Sequence, residues 1–80
     1  MAKLSAMQTF AINVKKELAR QKLSMRELSR RLEMDSGNLS RILSCEEGVT
    51  LDRASRIAEA LEVELWMLLK NSEKMSLASA

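Results

Sequence analysis

Eighty residues with no proline, two glycines and one cysteine allow a single domain and exclude an internal disulfide. The chain has no histidine, no Cys/His cluster and no glycine-rich phosphate loop, so no metal, no cofactor and no enzymatic activity is expected. The net charge of +2 is unevenly spread: residues 1–44 carry nine basic and four acidic residues, and residues 45–80 carry four and seven. That polarity suits one face turned toward a polyanion, and an ordinary solvated helix surface accounts for it equally.

Helix formers dominate, and no alternating strand pattern is present, so the expected class is all-α. Leu4, Met7, Phe10, Ala11, Val14 and Leu18 recur at three- and four-residue spacing, which predicts a first helix ending near Gln21. Its body is expected from Thr9 onward, with residues 1–8 either extending it or forming an arm. Ser24 and Glu27 have the spacing of a reciprocal capping box, so a short second helix is predicted to start at Met25 and end near Leu32. Leu28 and Leu32 face inward around the small Ser29. Asp35 is the expected cap of a third helix, with Met34 and Leu39 as its hydrophobic staple.

Leu39, Ile42 and Leu43 form the buried side of that third helix, and Ser36, Gly37, Ser40, Arg41 and Ser44 the other side. A loop around Gly48 follows. Thr50 then caps a fourth helix whose inner face is expected to hold Leu51, Ala54, Ile57, Ala58 and Leu61. Val63 to Leu69 reads as a fifth, very apolar helix. No apolar run approaches the ~20 residues of a membrane span, and the first residues lack the apolar core of a signal peptide. A cytoplasmic protein is expected, divided into residues 1–8, a folded domain over 9–70, and a tail over 71–80.

Two short helices joined by Glu33-Met34-Asp35 are a helix-turn-helix arrangement. In that geometry the first helix crosses a phosphate backbone and braces the second in the major groove. Bracing needs apolar positions (Leu28, Leu32, Met34, Leu39, Ile42) and one small inward residue, Ser29. The groove side must be small or hydrogen-bonding.

The segments LSMRELSRRLEMDSGNLSRIL and TLDRASRIAEALEVELWMLL, in that order and at that separation, resemble the lambda-repressor/Cro (XRE-type) helix-turn-helix family over residues 10–69. The resemblance implies a five-helix lambda-repressor-like domain that binds double-stranded DNA. The chain departs from the family pattern at four positions. Met25 stands where the family usually has Gln, and Lys22, Glu33 and Glu62 stand at helix ends where it favours Gly.

Arg41 is the foremost candidate base reader, because its slot faces the groove and arginine can donate twice to guanine O6 and N7. A solvated arginine or a phosphate contact is the alternative. Ser36 and Ser40 occupy slots that often touch bases in the family, and Gly37 would permit close approach to a base or sugar. A surface or frayed-turn role is the alternative for these three. Arg26 lies in the first turn of the second helix, where the helix dipole disfavours a cation unless a phosphate is near. Asn38 is a candidate for phosphate or adenine. Ser44 and Cys45 open the loop that often grips the backbone in the family. Arg30 and Arg31 read as solvated surface, with phosphate contact as the alternative.

The apolar fifth helix needs a cover on its outer side. The resemblance implies a dimer contact there, with Trp66 and Leu69 packed on a second copy. The alternative is that Met75 and Leu77 fold over them. Together these readings describe a regulator, most simply a repressor, bound as a dimer to a palindromic operator and controlled by concentration, a partner or an antirepressor. The competing expectation is an antitoxin or interaction module whose fifth helix and tail bind a protein such as a toxin.

Overall fold

The computed structural model describes residues 5–70. Five helices follow one another, α1 (Ala6–Gln21), α2 (Met25–Leu32), α3 (Ser36–Leu43), α4 (Leu51–Ala60) and α5 (Leu65–Leu69), with no strand among the described residues. α3 lies against α1 and α2, α4 against α2 and α5, and α5 against α1. The shared core is Phe10, Val14, Leu28, Leu39, Ile42, Leu43, Ile57, Leu61 and Leu68, with small Ala11, Ala54 and Ala58 where helices approach closely. Each of the larger side chains contributes roughly 1.5–3 kcal/mol of burial free energy.

Local chemistry sets where the helices begin. The side chains of Ser24, Asp35 and Thr50 accept the backbone N–H three residues on, at 3.0, 3.2 and 3.1 Å, as the capping pattern predicts. The reciprocal box expected at Ser24 is only half formed, because Glu27 turns to Arg30 at 3.4 Å instead. The complete box lies at Ser5 and Gln8, each side chain bonded to the other's backbone N–H. It starts α1 at Ala6, so residues 6–8 are helical. Leu4, Met75 and Leu77, to which the sequence reading gave packing roles, lie outside the described residues.

Helices α1 to α4 end in one way. Lys22, Glu33, Cys45 and Glu62 have φ of 57, 55, 66 and 59°. In each case that residue's N–H reaches back three residues and the next N–H reaches back five: Leu23 to Leu18, Met34 to Ser29, Glu46 to Arg41 and Val63 to Ala58, all at 2.9–3.0 Å. This paired closure occupies the carbonyls a helix leaves open. Leu23, Met34 and Val63 pack against the core just beyond the turn, which offsets the cost of a left-handed residue with a Cβ, on the order of 1–2 kcal/mol. Three of these positions are where the resemblance expects Gly; the fourth, Cys45, follows from the α3 loop.

Two expectations fail. Leu51 is 74% exposed rather than in the core, because as the first residue of α4 it sits before the helix turns its inner face onto α2 and α5. Val63 is not helical: α5 spans only Leu65–Leu69, with Glu64 at the N-cap position, since the closure after α4 uses Val63 as its anchoring apolar residue. No helix among the described residues is long and apolar enough to cross a membrane.

Candidate nucleic-acid interface

Two eight-residue helices, α2 and α3, meet through Glu33-Met34-Asp35. The left-handed Glu33 reverses the chain, and Asp35 restarts it as the N-cap. Ser29 is 4% exposed. Its hydroxyl donates to the Arg26 carbonyl at 3.0 Å, so no buried polar atom is orphaned where the helices touch. A larger side chain there would separate them.

α3 buries Leu39, Ile42 and Leu43 and leaves Ser36, Ser40, Arg41 and Ser44 exposed, with Gly37 and Asn38 half-buried. Among the described residues no other element covers that outer side. It is narrow: two serines and a glycine leave Arg41 as its one long side chain. A Cβ at Gly37 would stand 2.8 Å from Asp35 Oδ2, so glycine here leaves room for the capping carboxylate as well as a low surface.

Arg41 is not loose. Its Nε donates to Glu47 Oε2 at 2.9 Å, and its Nη2 donates to Asn38 Oδ1. Asn38 Nδ2 stays available as a donor. Glu47 was absent from the sequence reading. It lies six residues from Arg41 in a loop without periodicity, so no pattern marked it.

The loop after α3 differs from what its family slot implies. The amides of Ser44, Cys45, Glu46 and Glu47 all donate to α3 carbonyls, at 2.9–3.3 Å. The Ser44 hydroxyl lies 3.1 Å from the Arg41 carbonyl and 2.9 Å from Glu46 Oε2. The backbone is therefore engaged, and two carboxylates flank the turn. The one proton of the Ser44 hydroxyl already lies between the Arg41 carbonyl and Glu46 Oε2, so it too offers no free donor to a phosphate.

Arg26 is exposed at the start of α2 and has no acidic partner among the described residues. The Ser24 side chain takes the Glu27 N–H, which leaves the earlier amides of that turn open to an anion. Arg30 pairs with Glu27. Arg31 is exposed, as expected, and also donates to the Ala60 carbonyl at 3.0 Å. Arg56 donates to the Leu32 carbonyl at 3.4 Å. Each arginine satisfies the end of the opposite helix and ties α2 to α4.

Away from this face, Trp66 is 59% and Leu69 43% exposed. Lys70 Nζ lies 5.5 Å from the centre of the Trp66 ring. Leu69 and the misplaced Leu51 line one shallow apolar groove together with Phe10 and Val49.

Comparison with known proteins bears on this arrangement. No curated protein matches the chain significantly. A solved structure described as hypothetical transcription factor NHTF from Neisseria superposes with a TM-score of 0.82 over 96% of this chain and 94% of that one, at 23% identity, which is a likeness of fold. The sequence family described as the Cro/C1-type HTH DNA-binding domain matches residues 13–74, a span that contains the α2–turn–α3 unit, its apolar brace and the two helices that complete the core. The chain belongs to the Cro/C1-type helix-turn-helix DNA-binding family.

Proposed function

We propose that the protein is a sequence-specific transcriptional regulator that binds a palindromic operator as a dimer, most simply as a repressor. One observation carries this reading: the outer side of α3 is open, low and lined by hydrogen-bonding groups, with Arg41 as its one long side chain, 45% exposed. A helix of that shape can enter the major groove, whose width is about 12 Å. Arg41 then donates to guanine O6 and N7, while Ser36, Gly37 and Ser40 allow close approach to neighbouring bases. Arg26, the first-turn amides of α2 and Asn38 meet the phosphates on either side. The engaged Cys45 amide, the engaged Ser44 hydroxyl and the neighbouring Glu46 and Glu47 argue against a phosphate at that turn.

Trp66 and Leu69 supply the self-association surface, and Leu51 extends it. A two-fold dimer on that surface would set the two α3 helices about 34–36 Å apart, one turn of DNA. A protein partner docked on the same apolar patch is the competing use. Sedimentation of the purified chain separates the two, since a monomer at micromolar concentration favours the partner.

Selection of bound duplexes from a random pool tests the central reading. A symmetric consensus is expected. Arg41→Ala should lower affinity for the selected site by about 5- to 150-fold while changing nonspecific affinity much less. Equal losses on both would show that Arg41 reads no base.

A further inference from the structure

We propose that Glu47 is a positioning residue for base recognition: it holds the Arg41 guanidinium by one edge and leaves the other edge directed at the base. The inference rests on the reading of Arg41 as the base-reading side chain.

A guanidinium has five N–H donors. Here the Nε donor is taken by Glu47 Oε2 at 2.9 Å and one Nη2 donor by Asn38 Oδ1. Three donors remain, on Nη1 and Nη2, which suffices for the paired contact to O6 and N7. The hydrogen bonds that Glu47 and Asn38 accept therefore do not compete with guanine. They leave Nη1 and the second Nη2 proton for that contact.

The rest of the cluster is built to the same end. Glu47 does not reach Arg41 from a free loop. The amides of Glu46 and Glu47 donate to the carbonyl of Arg41 itself, at 2.9 and 3.3 Å, through the left-handed turn at Cys45. The acceptor is thus tied to the backbone of the residue it orients. The unengaged end of the guanidinium, Nη1, lies over Gly37, 3.7 Å from where a Cβ would stand. Even so held, the Arg41 side chain is 45% exposed.

Two consequences for recognition follow. An arginine with restricted rotamers loses less freedom on binding than a free one. The Glu47 carboxylate also cancels the charge that would draw Arg41 to any phosphate. Affinity for random DNA falls, and affinity for a duplex that offers two acceptors at the right place is kept. Glu47 contributes to discrimination without touching DNA.

The test uses the full chain, the selected duplex, and a duplex altered at the base pair whose preference disappears when selection is repeated with Arg41→Ala. Glu47→Ala should bind random DNA more tightly and discriminate that one pair roughly 3- to 10-fold less, with other positions unchanged. Glu47→Gln keeps an oxygen acceptor and should keep most of the discrimination. In an Arg41→Ala background, Glu47→Ala should have no further effect on discrimination. If Glu47→Ala leaves discrimination unchanged, the positioning role is wrong. If it raises discrimination, Glu47 is a latch that withholds Arg41, and the proposal fails in that direction. If no base preference disappears with Arg41→Ala, the base-reading assignment fails first and this inference with it.

Discussion

The side-chain amide of Asn13, on α1, donates to the carbonyls of Leu68 and Lys70 at 2.9 and 2.8 Å, and so closes the C-terminal end of α5 across 55 residues of sequence. α5 has five residues, no side-chain cap at its start and a single buried residue, Leu68. Asn13 therefore holds a helix too short to be stable by itself. Asn13→Ala should cost about 1–2 kcal/mol, chiefly for the part-buried Leu68 carbonyl left without a donor. Urea unfolding measures the loss. If α5 carries the dimer contact, the same variant should also dissociate at a higher concentration than the parent.

Trp66→Glu places a carboxylate on the proposed self-association surface and changes nothing in the core, since Trp66 is 59% exposed. Sedimentation should show a monomer with an unchanged melting temperature once the dimer's concentration dependence is allowed for. A dimer that persists would place the contact elsewhere.

Arg26→Ala removes a cation from the start of α2 without breaking any ion pair present among the described residues. The slope of log affinity against log salt should fall by about one, on selected and random duplexes alike. An unchanged slope would take Arg26 off the phosphate backbone.

The left-handed Lys22, Glu33 and Glu62 predict a gain from glycine. A Cβ costs on the order of 1–2 kcal/mol in that conformation, and glycine's greater freedom when unfolded returns part of the difference. Each single replacement should raise stability by about 0.5–1 kcal/mol, and the three should be nearly additive because they lie at separate helix ends. Thermal unfolding of the three variants and their combination checks this.

Glu17 gives the fold a response to acid. The hydrogen bonds from Arg20 and then Gln21 hold its carboxyl below the ordinary value of 4.5, and the same Gln21 amide donates to the Leu61 carbonyl at 2.7 Å. A carboxyl with a lowered folded value stabilises above its unfolded value, and that contribution is lost as pH falls through the folded one. Glu17→Gln should therefore be less stable than the parent at neutral pH. The two unfolding curves should converge in acid, below about pH 4. A difference that stays constant into acid would mean that Glu17 acts by packing.

Elements that depend on near neighbours were legible in the sequence. The caps at Ser24, Asp35 and Thr50, the bounds of α2 and α3, the small inward Ser29 and the apolar brace all follow from spacings of three and four residues, because helix chemistry acts over that range. So did the three unusual helix ends, once the family pattern was set beside Lys22, Glu33 and Glu62.

What only the tertiary structure decided joins residues far apart or separated by a loop. Asn13 reads as a polar interruption of α1 until Leu68 and Lys70 stand beside it. Arg31 stays exposed as its pattern predicts, but its bond to the end of α4 has no local signal. Leu51 fits the α4 stripe by period, yet its place before the first full turn leaves it in solvent. Glu47 meets Arg41 only because Cys45 turns left-handed and folds the loop back. Periodicity reports which side of a helix is apolar; which groups meet across the space between elements is set by how those elements pack, and no local pattern encodes it.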